Sequence, residues 1–93
     1  MIRRFKDREA ELIWNGFISR KLPADIQQRA MNLLKLIDAA IDLADLRHPP
    51  ANRLHALKDD RAGQHSVSIN MKWRICFVWR DGGADDVEIT DYH

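Results

Sequence analysis

The side chains best suited to chemistry lie in positions 54–93. His55, Lys58, Arg61, Arg74, Asp91, Tyr92 and His93 combine imidazoles, cations, an acid and a phenol. No metal signature accompanies them: the four histidines are scattered, and Cys76 is the lone cysteine. There is no phosphate-cradling glycine loop and no nucleophile elbow. What remains is a metal-free set. Such a set suits the cleavage of RNA. A base takes the proton from a ribose 2′-OH, a cation holds the charge growing on the phosphoryl oxygens, and an acid protonates the departing 5′-oxygen. An imidazole suits either proton role. Arginine grips phosphate in a bidentate manner.

Bland readings stand beside these. His55, between Leu54 and Ala56, can equally be structural. Lys58 and Arg61 flank Asp59 and Asp60, a pattern that also fits a solvated, salt-bridged loop. His48 and His65 read as structural or surface residues. Arg74 is the best single candidate, because a charge in an otherwise apolar strand is costly unless paired or on an open face.

Three strand patterns must carry these groups. Positions 65–70 alternate and are rich in β-branched residues, 73–79 are apolar and aromatic, and 86–90 close the sheet. A short strand is expected at 54–57. Asp81-Gly82-Gly83 is a hairpin turn, and Met71-Lys72 a tight connection. Side-chain parity puts Trp73, Ile75, Phe77 and Trp79 inward with Val67, Ile69, Val87 and Ile89. Arg74, Ser66, Ser68, Asn70, Glu88, Thr90 and Tyr92 then share the open face. A bulge would reverse that parity.

Upstream, 2–5 reads as a strand. Asp7 caps a first helix over 8–17, with Ala10, Ile13, Trp14 and Phe17 as its apolar stripe. A second helix runs from Pro23 to about residue 41, with Ile26, Ala30, Leu33, Ile37 and Ala40 facing the core. A helical turn is expected at 43–46, and Pro49-Pro50 ends helical structure. The order predicts an α+β fold, a helical hairpin on one face of a mainly antiparallel sheet, in a single domain over 1–93.

Net charge is +1, but it is uneven. Positions 47–80 hold seven Lys/Arg against two Asp/Glu, and 81–93 hold five acids and no Lys or Arg. The central surplus suits a polyanion such as RNA, or simply a solvated sheet face. No apolar run is long enough to span a membrane, no signal-peptide core appears, and a reducing cytoplasm is expected.

These segments resemble a known family. Ile2-Arg3-Arg4-Phe5-Lys6-Asp7, Arg20-Lys21-Leu22-Pro23, Arg53-Leu54-His55-Ala56-Leu57-Lys58 and Asp60-Arg61-Ala62-Gly63 are similar to the RelE-superfamily toxins, in their HigB-like branch. So are Asn70-Met71-Lys72-Trp73-Arg74-Ile75-Cys76-Phe77 and the closing Asp91-Tyr92-His93. The resemblance implies a small RelE-like fold that cleaves mRNA on the translating ribosome without a cofactor. It implies a cognate helix-turn-helix antitoxin, HigA-like, through which alone operator DNA is met. His55, Lys58, Arg74, Asp91, Tyr92 and His93 carry over as catalytic. From the residues themselves, the basic Arg61 and the open-face Ser68 and Asn70 are expected as RNA contacts. Asp59 replaces the glycine common after the motif lysine, a departure that sets a negative charge beside Lys58. A ParE-like toxin that binds DNA gyrase without catalysis is the alternative.

Overall fold

The computed structural model describes residues 1–91. Its first helix begins where a carboxylate can satisfy a free N–H. Asp7 accepts from the Ala10 amide at 2.6 Å and caps α1 (Arg8–Trp14). The helix stops short of the expected residue 17 because Gly16 turns left-handed, at φ +88°. Gly16 N–H donates to the Ile13 carbonyl and Phe17 N–H to Leu12, which closes the end as a Schellman motif. Phe17 is thereby turned outward and is 64% exposed, against its expected place in the apolar stripe. Ala10 and Ile13 are buried as expected, and Trp14 packs at the rim beside Phe5.

α2 (Ala24–Ala39) follows Pro23. Ile26, Ala30, Leu33, Ile37 and Ala40 are all buried, and Leu34 widens the stripe. A 3₁₀ turn at Leu43–Arg47 matches the expected helical turn. Pro49-Pro50 does not end helical structure. A second 3₁₀ turn, Pro50–Asn52, starts on Pro50 itself, where no N–H is needed.

The sheet is an antiparallel meander in the order β1 (His55–Ala56), β2 (His65–Ser68), β3 (Arg74–Arg80), β4 (Gly83–Thr90). Asp81 and Gly82 both have positive φ, as a two-residue hairpin turn of this twist requires. Asn70 Oδ1 accepts from the Lys72 and Trp73 amides and makes the tight connection between β2 and β3. The expected strand at 2–5 is reduced to two parallel bridges, Ile2 to Ala84 and Phe5 to Val87. A bulge explains the gap. β4 shifts register against β3 between Cys76 and Val78, and Asp86 there has φ 52°. Because the bulge precedes Val87, the expected parity survives beyond it. Val87 and Ile89 are buried toward the helices, with Val67, Ile69, Ile75 and Phe77. α1 and α2 pack on each other and on β4, which leaves the opposite face of the sheet for other work.

Candidate active site

Strand pairing lays out the open face in rows. His55 pairs with Ser66, Ser66 with Cys76, and Cys76 with Glu88. One step along, Ser68 pairs with Arg74, and Arg74 with Thr90. Directly paired residues share a face, so these seven side chains project together.

Arg74 ties the rows. Its Nε donates to Ser66 Oγ at 2.9 Å. Its Nη2 donates to the Arg53 carbonyl at 3.3 Å and lies 3.1 Å from His55 Nδ1. The charge that looked costly inside an apolar strand is thus half-exposed and hydrogen-bonded. His55 is exposed at the edge of the sheet, and its Nδ1 also lies 3.3 Å from the Arg53 carbonyl. An imidazole and a guanidinium in contact on an open surface can move a proton and hold a phosphate at one place.

Arg61 reaches the same face from the 3₁₀ turn Asp59–Arg61. Its Nη1 donates to Glu88 Oε1 at 2.7 Å and to Gln64 Oε1 at 3.1 Å. The Glu88 hydrogen bond raises the guanidinium pKa above its ordinary value. Lys6 adds a looser ion pair to Glu88 at 3.9 Å. Cys76 is buried between the Arg61–Glu88 pair and Arg74, and burial pushes its thiol up to about 11. It is not a nucleophile at neutral pH.

Lys58 is exposed at the start of the Asp59–Arg61 turn. Asp59 adopts φ 57°, so the loop keeps the left-handed backbone that glycine would take, with an acid that tolerates it. Ser68 is buried, and Asn70 is exposed with its oxygen engaged by the turn. Both line a groove of about 340 Å³ shared with Arg29, Arg53 and Met71. Arg29 donates to the Ile69 carbonyl at 2.8 Å and to Ser68 at 3.1 Å. Asp91 follows Thr90, the pairing partner of Arg74, and forms an ion pair with Lys72 at 3.7 Å. Tyr92 and His93 lie outside the described residues.

His55, Ser66 and Arg74 are therefore brought into contact, with Arg61 beyond Cys76 in the neighbouring positions. His65 points the other way, stacked on Phe77, with its Nδ1 buried and unpartnered among the described residues. Burial lowers its pKa, and the nearby His55 lowers it further. Sequence reasoning placed Ser66 on the right face without giving it a task. The Arg53 carbonyl had no signal to find, since a main-chain oxygen carries none.

The comparisons with known proteins agree with one another. The model of a family described as "RelE-like toxin of type II toxin-antitoxin system HigB" matches residues 3–93. The chain is 32% identical, over the full length of both proteins, to Endoribonuclease HigB of Proteus vulgaris. It is 35% identical over 81 residues to Toxin HigB-1 of Vibrio cholerae, covering 86% of this chain and 85% of that one. Its fold is similar to a chain of the YoeB–YefM complex from Staphylococcus aureus, with a TM-score of 0.62 at 18% identity over 100% of this chain and 98% of that one. It is also similar to YafQ from E. coli BL21(DE3), with a TM-score of 0.58 at 12% identity over 99% and 94%.

Proposed function

This chain belongs to the HigB-like family of RelE-like toxins of type II toxin–antitoxin systems, and from that premise we propose that it is an endoribonuclease that cuts mRNA on the translating ribosome. The observation that carries the reading is the contact of Arg74 with His55 and Ser66 on the open sheet face. The name of the Proteus vulgaris relative supports it.

In the proposed reaction the ribose 2′-oxygen loses its proton to a base and attacks the adjacent phosphorus. The bond to the 5′-oxygen breaks, that oxygen takes a proton from an acid, and a 2′,3′-cyclic phosphate remains. His55 is one proton carrier, and Asp91, Tyr92 or His93 is the other. Arg74 holds the charge that develops on the phosphoryl oxygens. Lys58 adds a second cation from its exposed loop. Arg61, Ser68 and Asn70 contact the RNA on either side, with the groove beside Arg53 taking part of a nucleotide.

An antitoxin partner comes with the family. The finer assignment is a helix-turn-helix, HigA-like antitoxin that alone connects the toxin to operator DNA. No helix among the described residues is long and apolar enough to cross a membrane, and the proposed site of action is the cytoplasm, where ribosomes translate. The test is induction in cells with mapping of mRNA ends. Cuts inside reading frames that vanish when translation is blocked are expected. Intact mRNA with accumulating gyrase-linked DNA breaks would instead establish the ParE-like alternative.

A further inference from the structure

Two contacts at His55 make opposite demands on one nitrogen. Nδ1 lies 3.1 Å from Arg74 Nη2 and 3.3 Å from the Arg53 carbonyl oxygen. A guanidinium only donates, so the Arg74 contact needs a lone pair on Nδ1 and puts the ring proton on Nε2. A carbonyl only accepts, so the Arg53 contact needs a proton on Nδ1. Nδ1 serves one or the other. In the free protein Arg74 is the nearer, and its Nη2 also donates to the Arg53 carbonyl, so the oxygen is supplied without His55.

With Nδ1 turned to Arg53 and Arg74, Nε2 is the nitrogen left to meet substrate, and at rest it carries the proton. A general base needs Nε2 bare, which puts the proton on Nδ1. A general acid is the imidazolium, with protons on both nitrogens. Either working form carries Nδ1–H, and Arg74 in its resting place excludes it.

We propose that the Arg53 carbonyl is the positioning group of the reaction, and that Arg74 blocks it until substrate arrives. The inference rests on the endoribonuclease reading. When an RNA phosphate takes the Arg74 Nη2, Nδ1 is released. In the base role the proton on Nε2 passes to water and Nδ1 gains one from water, with no change in ring charge. Nδ1–H then donates to the Arg53 carbonyl and leaves Nε2 bare toward the substrate. His55 is therefore armed only where a phosphate already engages Arg74.

The backbone supports this role for Arg53. It stands at φ 48°, ψ 52°, a left-handed conformation that costs a residue with a side chain. The turn before it fixes that conformation. Arg53 N–H donates to the Pro50 carbonyl at 3.0 Å. Asn52 is fully buried and donates to the Leu46 and His48 carbonyls at 3.2 and 3.1 Å. The carbonyl is thus aimed by a packed turn rather than by the groups it serves.

The test reads His55 directly. Ring nitrogens of ¹⁵N-histidine toxin are observed by long-range proton–nitrogen correlation, alone and with a saturating 2′-O-methyl RNA oligonucleotide that lacks the nucleophile. Nδ1 is expected bare in the free toxin and protonated with RNA. In Arg74→Met, whose thioether cannot donate, Nδ1 is expected protonated without RNA. A protonated Nδ1 in the free wild type, or a bare one in either other sample, overturns the proposal. A second pair needs no spectrum. Arg53→Gly and Arg53→Val lose the same charge, but only glycine keeps the left-handed turn at ease. The valine variant is expected to cut about tenfold more slowly than the glycine variant with KM unchanged, the low end of what a lost histidine-orienting partner costs at metal sites. Equal rates count against the proposal. Failure of the nuclease reading is distinguishable, because it shows as intact mRNA with wild-type toxin, whereas the spectra require no turnover.

Discussion

Replacing Arg74 with alanine separates a catalytic arginine from a structural one, because the structure assigns different sizes to the two losses. The variant removes donors from Ser66 Oγ at 2.9 Å, the Arg53 carbonyl at 3.3 Å and His55 Nδ1 at 3.1 Å. Only the first is short. Ser66 keeps another interaction, and the Arg53 carbonyl and His55 Nδ1 can pair with each other once Arg74 is gone. The stability loss is then about that of one charge-assisted hydrogen bond at a half-exposed site, roughly 1–2 kcal/mol. For a domain of this size each 1 kcal/mol lowers Tm by about 4–8 °C. The rate loss is larger. A preorganised donor to developing charge contributes about 2.7–4 kcal/mol, or roughly 10²–10³ in rate. Freeing His55 offsets part of that, so a fall near 10² is expected. Arg74→Lys keeps charge without the fork and should fall between. The assay is single-turnover cleavage of mRNA on programmed ribosomes, beside a thermal melt of each variant. A folded Arg74→Ala protein that cuts within about threefold of wild type would show that Arg74 does not stabilise the developing charge, and a variant that does not fold at all would mark it as a structural residue.

Other outcomes follow from the buried groups and the terminus. His65 has a folded pKa below its unfolded value, so the unfolded chain binds more protons as pH falls below about 6.5. Stability should hold above that pH and decline as pH falls toward the lowered folded pKa; His65→Phe should remove that part of the decline in denaturant titrations, and an unchanged profile would discount the residue. Cys76, with its thiol pushed up to about 11, should resist iodoacetamide at pH 8 in the folded protein and react once it is unfolded. Labelling of the native protein at the rate of a free thiol would contradict its burial. Deleting Tyr92 and His93 should abolish growth arrest while antitoxin still co-purifies; a truncated protein that still kills would return the catalytic burden to His55 and Arg74.

Much of this architecture was legible because periodicity reports burial. The α2 stripe from Ile26 to Ala40 is buried position for position, since a helix of this length repeats its core face several times. Strand parity placed Arg74, Ser66 and Glu88 on one face because each pattern held between its turns. Phe17 falls at helical spacing in the sequence, whereas the positive φ of Gly16 ends the helix and reverses the chain before it. The bulge at Asp86 had no reliable mark in the sequence and was harmless only because it precedes Val87. At the candidate site, residue types singled out His55 and Arg74. Their contact depends on Arg53, in a turn built by Pro50 and the buried Asn52. That information sits in main-chain geometry, so no list of side chains contains it. The Arg61–Glu88 pair was likewise hidden, because its members stand 27 positions apart.

Cleavage of mRNA by the open-face cluster, through attack of the ribose 2′-oxygen, leaves its signature in the product. Its most direct measurement is the chemistry of the ends made when purified toxin acts on a defined mRNA held by programmed ribosomes. Magnesium must be present for the ribosome, so the product ends carry the information rather than the ion requirement. Attack by the 2′-oxygen predicts a 2′,3′-cyclic phosphate, or the 3′-phosphate it hydrolyses to, with a 5′-hydroxyl on the other fragment. A 3′-hydroxyl with a 5′-phosphate, or mRNA left whole, would rule this reaction out.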